Sequence, residues 1–219
     1  LASPGATNSL GANKALVIDN IVSTVTGVSS TKADGSYKSG DQIPITVAFD
    51  EAVTVTGTPT LTLETGGTDA VVNYSSGSGT NTLTFNYTVL AGHISTDLDY
   101  TATTSLALNS GTIKDAAGNV ATLTLASPGA TNSLGANKAL VIVNNPIAVD
   151  DTLTVEEDAA LSSTDVIAND TDADIGDTLS LTAATTSGTG TVAVNADNVS
   201  VDYTPAANFN GTETITYTV

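Results

Sequence analysis

Apolar residues recur at every second position in short runs along this chain, and turn-forming residues separate the runs. "QIPITVAF" alternates through Ile43, Ile45, Val47 and Phe49, "PTLTLET" through Leu61 and Leu63, and "NTLTFNYTV" through Leu83, Phe85, Tyr87 and Val89. A period of two is the signature of a strand with one buried face. "AVVNYSS", "LDYTATTSLAL" and "GTIKDAAGNVATLTL" read as further strands, the last as two joined at Asp115–Asn119. Breakers such as "ADGSYKSGD", "ETGGTD" and "SSGSGT" separate them, and no segment carries a 3.6-residue period. About seven strands in about 120 residues predict a β-sandwich. The pattern resumes after residue 144 in "DTLTVEE", "ALSSTDVIA", "TLSLTAAT", "GTVAVNADNVSVDYTP" and "TETITYTV". The fold class is therefore all-β, in two tandem sandwich modules.

One stretch occurs twice. "LASPGATNSLGANKALVI" fills residues 1–18 and returns unchanged at 125–142, and the copies part only at the next position, Asp19 against Val143. Identity over this length implies duplication of a whole unit. Residues 1–18 then read as the tail of a preceding repeat, 19–143 as one complete module and 144–219 as a second of different type. The chain opens without Met or the marks of a signal peptide, as a piece of a longer protein would. Leu16, Val17 and Ile18 would lack the partners their copies have. The N-terminal stretch is accordingly expected to be poorly ordered or to borrow an edge from a neighbouring molecule.

Composition narrows the function. Twenty-three acids face five lysines, all before residue 144; thereafter come 13 acids and no Lys or Arg. Nucleic acid is excluded as a partner, because phosphate binding needs basic residues. Anionic membrane fails for the same reason, and no apolar run approaches the ~18 residues of a membrane span. Without Cys there are no disulfides or thiolate sites. The single histidine, His93, sits in "AGHIST" without a nucleophile motif, and no P-loop, GxGxxG, GxSxG or HExxH occurs. The chain is not read as an enzyme.

The acids are not evenly spread: ten of the 28 residues from Asp150 to Asp177 are Asp or Glu. "NDTDADIGD" sets Asp170, Asp172, Asp174 and Asp177 on one loop, where alternate carboxylates can converge on a calcium ion, which takes six to eight oxygens. It is not an EF-hand: counted from Asp170, the required Gly and Glu positions hold Ile175 and Leu181. A solvated acidic turn is the alternative. A further candidate is Asp19 with Glu51 and Asp115, although Asp115 could equally hold the backbone of its "DAAGN" turn. Glu156 and Glu157 could serve another junction or be surface charge.

Residues 144–219, through "NNPIAVDD", "VIANDTDADIGD", "YTPAANFNG" and the final "YTV", resemble a bacterial cadherin-like module. Residues 19–143, through "ITVAFDEAV", "GTPTLTLETG" and "GTIKDAAGNVATLTL", are similar to the bacterial Ig-like repeats found beside such modules. Both occur in very long calcium-dependent (RTX-type) adhesins. The resemblance implies calcium, secretion and a place on the bacterial cell surface. It also implies a spacer role: an extender segment, stiffened by calcium, that supports adhesion or biofilm formation. Ile175 interrupts the family's "DADGD" loop and would displace Asp177. Loops of a sandwich alternate between its two ends, which suggests an intermodule calcium cluster of Asp97, Asp99, Asn144, Asn145, Asp172 and Asp174. The expected partners are neighbouring repeats of the same chain, and surface glycans or other cells. The alternative is a module binding carbohydrate or a protein ligand, with Tyr37 in "DGSYKSG" as the one aromatic expected in a loop.

Overall fold

The computed structural model describes residues 3–7, 9–13, 18–156, 158–174 and 177–219. Leu16, Val17, Glu157 and Ile175 lie outside them. The chain forms two compact units, Leu1–Ile142 and Val143–Val219. Both are built from strands, with two four-residue helices, α1 (Leu10–Asn13) and α2 (Leu134–Asn137), as the exceptions among the described residues.

In the first unit one sheet runs in the order β1 (Val25–Ser30), β3 (Gln42–Thr56), β6 (Thr80–Thr88), β5 (Ala70–Ser76), β4 (Thr60–Leu63) and β7 (Leu106–Ala107). Its long central strand does double duty. Gln42–Ala48 pair with β6, the register jumps before Val53, and Thr54–Thr56 pair instead with β8 (Thr112–Lys114). β2 (Gly35–Tyr37) pairs in parallel with β9 (Leu140–Ile142), the end of the second repeat copy. The alternation reads through to packing: Ile43, Ile45, Val47, Leu61, Leu63, Leu83, Phe85 and Ile113 are fully buried in one core. At about 25 cal/mol per Å2 of apolar surface, burial of that kind is the main force holding the sheets together.

The second unit is smaller. β10 (Leu161–Asp165), β13 (Ser200–Thr204) and β12 (Thr191–Val194) form one sheet, and β11 (Ala183–Thr186) pairs with β14 (Ile215–Thr218). Its fully packed core is Val166, Ile167, Leu181 and Val201. Glu213 organises one end, accepting from Tyr203 Oη at 2.8 Å, Thr186 Oγ1 at 2.9 Å, Thr189 N at 2.9 Å and Gly190 N at 3.3 Å.

Several expected strands are shorter or absent. In "LDYTATTSLAL" only Leu106–Ala107 is a strand; Ser105 Oγ closes a turn with Thr101 Oγ1 (2.7 Å) and Ala102 N (2.9 Å). Hydroxyls that bond the local backbone compete with a ladder. In "GTIKDAAGNVATLTL" the first half is β8, but the second makes only single bridges, Val120 with Lys114 and Thr122 with Thr24. "TLSLTAAT" contributes Ala183–Thr186 alone. "DTLTVEE" forms no strand over 151–156 despite its alternation. The acids Asp150, Asp151 and Glu156 flank that run, and like charges oppose strand pairing. An open groove of about 740 Å3 is lined by this run together with Leu161, Val166 and Ile215.

Candidate metal centres

The first acidic cluster forms where the chain leads into β1. Asp19 precedes β1, Glu51 sits in the register jump of β3, and Asp115 opens the turn after β8. One ligand oxygen from each lies within 4.8 Å of the others. Asp19 Oδ1 accepts from Ile21 N at 3.0 Å, which curls the segment. Asn119 clamps the segment by donating Nδ2 to the carbonyls of Asp19 (3.3 Å) and Ile21 (3.2 Å). The expected turn role of Asp115 is also present: it is buried and accepts from Asn119 N at 2.9 Å and Nδ2 at 2.8 Å. Burial pushes the Asp115 carboxyl up, but the hydrogen bonds from Asn119 and the turn amides carry it below its usual range. Glu51 moves the other way. Its burial first, then the charges of Asp115, Asp19 and Asp50, raise its carboxyl above the ordinary value. The ionised cluster therefore repels itself, and a cation would relieve the repulsion. Asp50 lies beside the cluster and is committed elsewhere, accepting from Thr24 N at 2.8 Å and Oγ1 at 2.7 Å to fix the start of β1.

The second cluster belongs to the second unit. Ligand oxygens of Asp172, Asp174 and Asp177 lie within 4.8 Å of one another. Asp177 is thus brought in, against the expectation that the inserted isoleucine displaces it. The loop is zipped to the segment that enters the unit. Asp174 accepts from Asn144 N at 2.8 and 3.0 Å, Ile147 and Thr171 form a two-way bridge, and Asp170 accepts from Val149 N at 2.7 Å. Asp172 Oδ1 accepts from Asp174 N at 2.9 Å, the tight local turn that alternate Asp residues allow. Asp170 is buried and also takes the Tyr217 hydroxyl at 3.1 and 3.2 Å, so it anchors the loop inward. Asn145 is exposed.

Residues 144–219 match the family model of the bacterial Ig domain. The match spans the stretch whose motifs resembled a cadherin-like module. It supports Ig-like bacterial modules and an all-β, sandwich-like fold. Neither a curated protein nor a solved structure matches the chain.

The donor set in both clusters is oxygen alone, without His or Cys, and hard carboxylates suit calcium better than a transition metal. Asp97 and Asp99 lie in the first unit, and Asn144, Asn145, Asp172 and Asp174 in the second. Within its unit Asp97 is exposed. Asp99 is buried, with Oδ1 accepting from Tyr100 N and Oδ2 from Gly129 N, each at 2.9 Å. Burial and then the Asp99 charge raise the Asp97 carboxyl. Sequence reasoning missed the clamping role of Asn119 and the anchoring roles of Asp99 and Asp170. The "DAAGN" turn was the available signal for the first; nothing in the pattern separated the other two from surface acids.

Tyr37 is not the loop aromatic that a carbohydrate platform would need. It ends β2, its hydroxyl donates to the Ala33 carbonyl at 2.7 Å, and the Lys32 ammonium sits 5.5 Å from its ring centre. His93 lies outside any strand or helix and is buried, with Nδ1 2.8 Å from the Tyr87 hydroxyl.

Proposed function

We propose that this chain is a calcium-stiffened extender segment of a large bacterial cell-surface adhesin, a spacer that supports adhesion or biofilm formation. One observation carries the reading: each unit has a cluster of three carboxylates on or beside the segment that leads into its first sheet strand. An ion bridging Asp19 to Glu51 and Asp115 would tie the incoming segment to the body of the first unit. An ion held by Asp172, Asp174 and Asp177 would do so for the second, through the Asp174–Asn144 bond. Bacterial Ig domains usually occur in surface or extracellular proteins, which supports a secreted, cell-surface location. Extracellular modules bind calcium at about 10⁻⁴–10⁻³ M, so the sites would fill outside the cell. The neighbouring repeats of the chain are the immediate partners, with surface glycans or other cells as the target of the whole adhesin.

The test is a thermal melt of each unit in millimolar calcium and in chelator, joined to small-angle scattering under both conditions. Calcium should raise both transitions and lengthen the scattering profile. A shift of only about a degree or two, against the ~2.7 kcal/mol expected at 100 times the dissociation constant, would sink the reading.

A further inference from the structure

In the second unit the alternating run of residues 151–156 is anchored at both ends and free between them. Before it, Val149 N donates to Asp170 Oδ1 at 2.7 Å, and the Tyr217 hydroxyl, already on Asp170, also lies 3.3 Å from the Val149 carbonyl. After it the chain reverses. Asp158 takes a left-handed φ of 61°, Ala159 N donates to Glu156 O at 3.0 Å, and Asn208 N donates to Asp158 Oδ1 at 2.8 Å. Between these points Thr152, Leu153, Thr154 and Val155 make no hydrogen bond to another described residue. Leu153 is 40% exposed, although its alternation with Val155 is that of a strand with one face to bury.

The sheet edges around the run are unfinished. β10 ends its three-stranded sheet and β14 pairs with β11 alone, so among the described residues each has an edge with no strand beside it. Leu161 of β10 and Ile215 of β14 line the groove of about 740 Å3 together with Val166 and the run itself. The turn at 156–159 leads directly into β10, so the run can fold back on that strand as the other arm of a hairpin. Charge opposes this. Asp150 and Asp151 begin the run and Asp165 ends β10, so an antiparallel return brings like charges to the same end. Their proximity is already felt: burial first, then the charges of Asp170, Asp165 and Asp150, raise the Asp151 carboxyl against a hydrogen bond with Asn169 that lowers it. Like charges across a strand pair disfavour pairing, and no Lys or Arg occurs after residue 144 to offset them.

We propose that residues 150–156 are a strap that closes over this groove by pairing with the free edge of β10, and that repulsion of Asp150 and Asp151 by Asp165 and Asp170 holds it open. Closing lays Leu153 and Val155 against the apolar groove. Because both ends are already anchored, it costs little chain entropy. Salt that screens the repulsion shifts the strap toward closed. The ionic surroundings thus set how firmly the lead-in to β10 is bound to the second unit. The strap's acids are distinct from the cluster of Asp172, Asp174 and Asp177, and the device needs no ion at that cluster.

The experiment follows amide hydrogen exchange of the full chain in chelator, so that its outcome is independent of the calcium reading. In the wild type at about 0.01 M KCl, where the Debye length is about 30 Å, the amides of residues 152–155 should exchange nearly as fast as in an unfolded peptide. Asp150→Asn combined with Asp151→Asn should slow them about fivefold or more, as a paired edge strand requires, and should raise the second unit's thermal transition. Adding Leu153→Ser and Val155→Ser in that background should restore fast exchange, with protection at Val201 in β13 showing that the unit remains folded. Raising KCl to about 1 M, where the Debye length is about 3 Å, should slow residues 152–155 in the wild type and change the double Asn variant far less. Amides at 152–155 already protected in the wild type at low salt, exchange there that neither salt nor the Asn pair slows, or protection that survives the loss of Leu153 and Val155 each overturn the proposal.

Discussion

The same eighteen residues meet two fates in this molecule. At 125–142 Leu134 and Ile142 are sealed in the core of the first unit; at 1–18 Leu10 and Ile18 stand in solvent. The turn, the glycine and the helix recur in both. Local chemistry thus dictates the backbone of this stretch up to its helix, while burial depends on what the rest of the chain presents. For the second copy that means Asp99 accepting from Gly129 N, Asp34 pairing with Lys138 and accepting from Ala139 N, and Ser95 bridging Ile142.

The largest test of this contrast is a matched pair of truncations. Leu134→Ala should destabilise the first unit by about 2–5 kcal/mol, the range for a fully buried leucine. Leu10→Ala should stay within about 0.5 kcal/mol, the range for surface changes. Urea unfolding of both variants reads the difference. Equal effects would mean that the first copy is packed as well as the second.

Calcium should sharpen the contrast at the residue where the copies diverge. After the first copy comes Asp19, a member of the first cluster; after the second comes Val143, then Asn144, whose N–H is held by Asp174. Without calcium, Glu51→Gln should raise the melting temperature of the first unit, because burial and the acids around Glu51 disfavour its ionised form. With calcium the same change should lower it, since a ligand is lost. A sign that does not reverse between melts in calcium and in chelator argues against an ion at this cluster. The second unit should be indifferent to Glu51→Gln in both.

The glycines of the two helices give a finer comparison. A Cβ on Gly135 would come within 3.1 Å of Asp99 Oδ2 and 3.2 Å of Asp97 Oδ2, whereas one on Gly11 meets only Gly5 N at 3.8 Å. Asp97 is exposed and can yield; Asp99 Oδ2 is held by Gly129 N. Gly11→Ala should be neutral or slightly favourable, as helix propensity predicts. Gly135→Ala should cost about 1 kcal/mol net, because crowding opposes that gain. Thermal unfolding of the two variants measures it.

Sequence carried the strands of the first unit well, because Ile43 to Phe49 and Leu83 to Val89 must put every second residue into one core. It also named the acids that the fold gathers into two groups. Asp172, Asp174 and Asp177 are close in sequence, and Asp19, Glu51 and Asp115 stood out as a further acidic set. It failed where acids flank an alternating run, as in residues 151–156, and where hydroxyls close a turn, as at Ser105. Nor could it separate Asp170 and Asp99 from the exposed acids around them. A carboxylate that anchors buried amides and one that waits for a cation are the same letter; only the donors folded against them differ.

The smallest effect concerns the grip on the end of the second copy. Ser95, which bridges Ile142, follows His93 by two residues, and His93 is buried against the Tyr87 hydroxyl. Burial lowers the His93 pKa below 6.5, so the folded unit favours the neutral ring and the unfolded chain binds the proton more readily. The stability this contributes is complete above 6.5 and declines as pH falls from there toward the folded value. Asp97 and Glu51, both raised by burial, act in the opposite sense at lower pH: their protonation favours the folded state. Asp34, Asp50 and Asp115, whose carboxyls lie below the usual range, lose their contribution as pH falls further, and the wild-type profile is the sum of all of these. His93→Gln keeps an acceptor for Tyr87 while removing the titration. Between about pH 7.5 and 5.5 the first unit should lose stability in the wild type and lose less in His93→Gln. Amide exchange at Ile142 should quicken with the same pH dependence, while exchange in the helix of the first copy should show no histidine step. Parallel profiles for wild type and His93→Gln would show that His93 has no part in holding the second copy in place.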